Sequence, residues 1–218
     1  MNPGEIISVA APAKIPLVFK LVYTLFVIVL VPIYLREYGP TNFLWFCDAA
    51  LLLTLAGIWL ENALLVSMCA VGILIPQTLW LVDFGVHFFG VHLTGLTDYM
   101  FDKRIPIFIR SLSLFHGWLP IVLVWLLLRM GYDWRGLPAW TALAIVLVLV
   151  CYKFTPPSGA QLPNPETPLN INNIYGFNND KPQSWLNQNL YVTLWLVALF
   201  VGAYLPTHFI LRKLFRSG

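Results

Sequence analysis

Charged side chains are scarce in this sequence. Aspartate, glutamate, lysine and arginine make up 11% of its 218 residues, whereas a soluble domain contains about 25%. Hydrophobic residues account for 59%, which excludes a soluble core with a polar shell. The net charge of +3 is spread over the ends of apolar runs and gives no signature of nucleic-acid binding. The chain is therefore predicted to be an integral membrane protein.

Cysteine is also rare, and its spacing excludes two common kinds of site. Cys47, Cys69 and Cys151 lie in or at apolar segments, and none has a partner at CxxC or CxxH spacing. Neither a disulfide framework nor a zinc finger is indicated. The residue alternation typical of membrane β-barrels is missing too, because the apolar runs are continuous. The expected fold class is an all-α membrane bundle.

Six apolar segments are long enough to cross a bilayer. They cover residues 15–35, 42–60, 63–82, 105 or 110 to 130, 138–154 and 188–210. We expect a single membrane domain over residues 1–218, with one long polar loop at 155–187. Segment 83–104 carries glycines and ionisable residues. We expect it to be interfacial or re-entrant rather than a seventh span.

Six spans place both termini on one side of the membrane, and the basic tail RKLFRSG favours the cytoplasmic side of a bacterial inner membrane. The other side of the membrane then holds the long loop and five span ends. These are the starts of spans two, four and six and the ends of spans three and five. These ends carry Cys47, Asp48, Asp83, His87, His116, Cys151 and Asn189. Any chemistry is therefore expected near the non-cytoplasmic face.

A thiol and an imidazole are predicted to meet at that face. If Arg110 marks the interface, the helix rise of 1.5 Å places His116 about 9 Å deep and Cys47 about 7 Å deep. An ionisable group inside a span is costly and marks a functional site, and a thiol beside an imidazole can attack an ester or thioester. Asp48 lies about 100° around the helix from Cys47 and is expected to orient a neighbour. Pro120 is expected to bend the helix just past His116.

Other interpretations of the same residues stay open. Cys47 could be a small buried hydrophobe and His116 a histidine satisfied by a neighbouring helix. Asp83 and His87 are four residues apart on one helix face, and with His116, or with the nearby His92 and Asp98, could hold a transition metal. No other cofactor is expected. A non-catalytic membrane subunit or a small-ligand-binding protein is the alternative from another class.

Three pieces of the sequence resemble a known family. They are FLWFCDAALLL at 43–53, SLFHGWLPIVLVWLLL at 113–128, and CYKFTPP at 151–157 followed by WLNQNLYV at 185–192. In this order they resemble the YwaF-type bacterial integral membrane proteins. Animal relatives of that family include a lipid acyltransferase that uses a cysteine and a histidine. More distant relatives, the androgen-induced membrane hydrolases, cleave fatty acid esters with a threonine and a histidine.

The resemblance implies a lipid acyltransferase or ester hydrolase with Cys47 as nucleophile and His116 as base. The expected partners are a membrane lipid and other membrane subunits, without nucleic acid. The full set of expected site residues is Cys47, His116 and Asp48 for catalysis and Asp83, Trp185 and Asn189 for substrate contacts.

The predicted orientation can be measured by cysteine-accessibility labelling of intact cells. A membrane-impermeant thiol reagent should reach a cysteine introduced near Asn172, in the long loop, and should miss one introduced near Arg216, in the basic tail. Labelling of the tail position with protection of the loop position would reverse the orientation.

Overall fold

The computed structural model describes residues 15–215; residues 1–14 and 216–218, which include the end of the basic tail, lie outside it. The described residues form helices without β-strands. The helices are α1 Leu17–Glu37, α2 Phe46–Leu60, α3 Ala63–His87, α4 Ile107–Leu112, α5 Phe115–Met130, α6 Gly136–Phe154, α7 Gln188–Leu199 and α8 Leu205–Leu214. The all-α membrane class is thereby confirmed.

Five helical stretches are long and apolar enough to cross a membrane. They are α1, α3, α6, the pair α4–α5 and the pair α7–α8, which a π-helical turn at Phe200–Tyr204 joins. The second predicted span is shorter than expected. Helix α2 has 15 residues, or about 22 Å at the usual rise, and the 3₁₀ turn Pro40–Leu44 precedes it.

Helix α3 is the centre of the bundle. Of its most apolar window, 56% is buried inside the protein, against 28% for α1. It packs most extensively on α2, α5 and α6. At Gly72 a side chain would overlap the fully buried ring of Trp140 on α6. The small residue therefore lets the two helices approach closely, as is common between membrane helices.

Segment 83–104 does not form an additional membrane span, as predicted. Helix α3 continues to His87, beyond the predicted end of the third span at residue 82. The chain then turns at Gly90, whose φ of +76° is accessible chiefly to glycine. It follows an irregular path through the short turn Asp98–Met100 before α4 begins at Ile107. We call residues 88–106 the α3–α4 loop.

The fourth span is interrupted just before His116. Residues Ser113 and Leu114 form a turn between α4 and α5, and His116 is the second residue of α5. Helix α5 continues across Pro120. Pro120 is the sixth residue of α5, so its missing N–H leaves the carbonyl oxygen of His116 without its usual helical donor.

The long polar loop folds back onto the bundle. Ile171 and Ile174 of the loop pack with Val148 and Cys151 of α6 and with Tyr191 and Val192 of α7 in a small core separate from the main one. The loop therefore covers the end of the bundle where α2 and α7 begin and α6 ends.

Candidate functional site

Several polar side chains are gathered where α2 and α5 begin, and the α3–α4 loop adds one more. We call this group the polar cluster; its members are Tyr34, Cys47, Asp48, Trp80, Tyr99, Ser113 and His116. Because these side chains come from four helices, the α3–α4 loop and the turn between α4 and α5, the fold rather than any local motif brings them together.

Cys47 and Asp48 lie in the first turn of α2. The Cys47 thiol is 3.6 Å from Oδ2 of Asp48 and can donate to it. The two side chains thus contact each other, although their Cα atoms are about 100° apart around the helix axis. Asp48 is only 3% exposed, and within residues 15–215 its second oxygen, Oδ1, has no hydrogen-bond partner.

His116 is held in a defined tautomer. Its Nδ1 lies 2.9 Å from the carbonyl oxygen of Ser113. A carbonyl only accepts, so Nδ1 must carry the proton and, in the neutral ring, Nε2 presents its lone pair. The ring centroid lies 4.9 Å from that of Trp80 and 4.2 Å from that of Phe115. This orientation suits a general base that acts through Nε2.

Tyr34 and Tyr99 connect the part of the cluster on α2 with the part at the start of α5. The hydroxyl of Tyr34 lies 2.8 Å from that of Ser113. Burial raises the pKa of Tyr99, the Ser113 hydroxyl opposes this rise, and the neighbouring Cys47 and Asp48 add to it. Tyr99 therefore lies near the thiol on one side and near the start of the histidine helix on the other.

Direct contact between Cys47 and His116 is not formed. Among the hydrogen bonds of the described residues, the Cys47 thiol bonds only to Asp48, and the imidazole only to the Ser113 carbonyl. Both side chains belong to the polar cluster, but the predicted thiol–imidazole hydrogen bond does not occur in this structure.

Other buried polar atoms of the described chain lie close by along α3 and have no hydrogen-bond partner. They are both amide atoms of Gln77, which is 2% exposed. Trp80 lies three residues further along the same face of α3, and its indole is close enough to Tyr99 to lower the pKa of that hydroxyl. Buried polar groups nearly always have a partner, so the Gln77 face of α3 is suited to bind water or a polar ligand group.

The three expected substrate contacts are dispersed. The buried Asp83 carboxylate accepts hydrogen bonds from the backbone of Thr94 and Thr97 and from the Thr97 hydroxyl, at 2.7, 3.0 and 2.7 Å. Asn189 accepts one from Tyr152. The Trp185 side chain is 68% exposed. Asp83 thus braces the α3–α4 loop, and none of these side chains shares a hydrogen bond with Cys47 or His116 in residues 15–215.

The candidate metal ligands that converge in the structure differ in part from those predicted. Nδ1 of His87 and of His92 both approach Oδ1 of Asp98, at 3.4 and 3.2 Å. His116 belongs to the polar cluster instead, and the Asp83 carboxylate is engaged with the loop backbone. Sequence spacing had connected Asp83 to His87, but Gly90 turns the chain so that His92 and Asp98 return to His87.

Asn172, which the sequence placed in the long loop without a role in the site, positions the start of α2. Its side chain is buried; Oδ1 accepts from the backbone N–H of Phe46 at 3.0 Å, and Nδ2 donates to the carbonyl of Leu44 at 2.9 Å. The residue next to Phe46 is Cys47. The backbone at Asn172 has φ +58°, a conformation that asparagine tolerates well. The run NINN was thus a signal for such a turn, although not for its partner.

The fold and this cluster together define the class of the protein: an all-helical, polytopic membrane protein with a buried polar site at one end of its bundle. Comparison with protein-family models, with curated proteins and with solved structures found no match for the chain.

Replacement of Asn172 by glycine should loosen the start of α2. Glycine keeps the left-handed backbone but removes both hydrogen bonds to the start of α2, which leaves two partly buried backbone groups unpaired. We expect the free energy of unfolding to fall by about 1–3 kcal/mol, measured by denaturant unfolding in detergent. The matched control is Asn173→Gly, since Asn173 also has a left-handed backbone, with φ +57°, and its side chain makes no hydrogen bond in the described chain. Equal losses in both variants would contradict the positioning role.

Proposed function

We propose that this protein is a membrane-embedded acyltransferase or ester hydrolase that acts on a membrane lipid, with Cys47 as nucleophile and His116 as general base. The observation that supports this most is the polar cluster. It contains a thiol in the first turn of one helix, and an imidazole in the first turn of another, whose Nδ1 is already engaged by a carbonyl.

The reaction follows from these groups. Nε2 of His116 accepts the thiol proton, directly or through one water or the substrate, and the Cys47 thiolate attacks the ester carbonyl carbon. The tetrahedral intermediate then collapses to a thioester on Cys47, and the leaving alcohol takes the proton from His116. Water completes hydrolysis, or a second hydroxyl or amine completes acyl transfer, with His116 again as the base.

The position of Cys47 on α2 favours this chemistry. The first turn of a helix has N–H groups without helical partners, and its dipole stabilises negative charge. Charge that develops on the thiolate or on the carbonyl oxygen is therefore stabilised at the start of α2. The Asp48 carboxylate contacts the thiol at 3.6 Å; it would have to be neutral or turned away during attack, because two adjacent anions repel.

A lipid is the substrate class that suits the depth of the site. Cys47 is the second residue of α2, whereas His116 lies nine residues beyond Ile107, where the α4–α5 span begins. Ester groups of lipids lie at the boundary between the hydrocarbon core and the head groups, so the proposed site would receive the ester at the start of α2. With the termini cytoplasmic, the site would face the outer leaflet of the inner membrane.

Loss of the thiol should abolish turnover without loss of the fold. Cys47→Ala, assayed in detergent–lipid micelles by release of a labelled fatty acid from phospholipid or by its transfer to a second lipid, should lower the rate on the order of 10⁴-fold or more. The control is Cys69→Ala, which removes a fully buried thiol from the middle of α3 and should keep the activity of the folded protein.

Thermal unfolding measured on both variants separates chemistry from folding. If Cys47→Ala unfolds at the wild-type temperature and keeps wild-type turnover, the thiol is not the nucleophile. The non-catalytic membrane subunit would then be the better explanation of the polar cluster.

A further inference from the structure

Three metal-ligating side chains converge at the aqueous end of α3, apart from the polar cluster. His87 is the last residue of that helix, and His92 and Asp98 belong to the α3–α4 loop. One ligand atom from each lies within 4.8 Å of the other two. The His92 and Asp98 side chains are 63% and 56% exposed, so an ion from solution can reach them.

The spacing matches that of ligands around a tetrahedral ion. Two ligand atoms at about 2.0–2.2 Å from zinc, in tetrahedral geometry, are about 3.3–3.5 Å apart. Oδ1 of Asp98 lies 3.4 Å from Nδ1 of His87 and 3.2 Å from Nδ1 of His92. These two distances already match, whereas the ligand atoms of the two imidazoles, which lie within 4.8 Å of each other, would approach each other to surround one ion.

The surrounding residues fix these side chains before any ion binds. The ring of His87 stacks on Phe101, with centroids 3.8 Å apart and planes at 7°. Gly90, with φ +76°, reverses the chain between the two histidines. The Asp83 carboxylate, through Thr94 and Thr97, anchors the segment between His92 and Asp98. Preorganised ligands lower the cost of binding.

We propose that His87, His92 and Asp98 bind a divalent transition-metal ion, with zinc as the best fit. Two imidazoles and one carboxylate form a ligand set that zinc accepts, and three protein ligands leave the fourth position to water or to another ligand. The ion would join the end of α3 to the α3–α4 loop. Because Tyr99 follows Asp98 directly, it would also fix the loop that reaches the polar cluster.

A metal site and a simple ion pair require opposite protonation states of the histidine Nδ1 atoms. If the carboxylate only pairs with the rings, each Nδ1 that approaches it must carry a proton. If a metal binds, each Nδ1 must offer a lone pair. Metal binding must therefore remove the proton from each Nδ1, by release from an imidazolium or by transfer to Nε2 in a neutral ring, and adding the metal alone distinguishes the two alternatives by whether a complex forms.

The test uses the full chain, purified in detergent without a polyhistidine tag and freed of metal by a chelator. We expect titration with Zn²⁺ to show a single saturable equivalent, and Co²⁺ to give the visible absorption of a tetrahedral site. The variants His92→Ala and Asp98→Asn should each weaken binding by about tenfold or more and abolish the Co²⁺ band.

Asp102→Asn is the matched control, because Asp102 is a carboxylate of the same loop that pairs with Arg104 at 2.6 Å and lies outside the cluster. It should bind Zn²⁺ as the wild type does. Since His92 and Asp98 are exposed, their variants should unfold at the wild-type temperature in the absence of metal. Absence of the Co²⁺ band in the wild type, or Zn²⁺ binding that survives in both cluster variants, would overturn the proposal.

Discussion

The two hydrogen bonds from the Asn172 side chain to the backbone at Phe46 and Leu44 are the constraint on which the arrangement of the site depends. They join the long loop to the start of α2, where the backbone would otherwise be unpaired in an apolar setting. Trp195 of α7 donates to the Asn172 carbonyl at 2.8 Å. Asn172 thus connects the start of α2, the long loop and the last span. Its hydrogen bonds to Phe46 and Leu44 fix the backbone next to Cys47 and so place the thiol.

Much of the architecture could be predicted from the sequence, because the bilayer accepts only continuous apolar segments and these are visible in the hydropathy of the chain. Continuous apolar runs gave the spans, and alternation of the chain across the bilayer gave the side on which their polar ends meet. Gly90 and the ionisable residues around it correctly excluded a seventh span, since exposed backbone and charge cannot be satisfied in lipid. The grouping of Cys47 and His116 at one end of the bundle followed from the same alternation.

The details of the site could not be predicted, because they depend on long-range contacts and on side-chain torsions. The angle of about 100° between neighbours on a helix suggested that Asp48 points away from Cys47, yet rotation about the side-chain bonds brings the two into contact. Spacing by four paired Asp83 with His87, but the loop carries Thr94 and Thr97 back to Asp83 instead. No periodic pattern contains that information.

The most direct test of the central claim is the reactivity of the thiol. The wild-type protein, in lipid-containing micelles, would be treated with a long-chain acyl electrophile, and the labelled residue identified by mass spectrometry. The proposed mechanism predicts that Cys47 is labelled, that Cys69 is not, and that His116→Ala removes the labelling while the protein stays folded. Equal labelling of Cys47 with and without His116, or no labelling of Cys47 in the wild type, would contradict it.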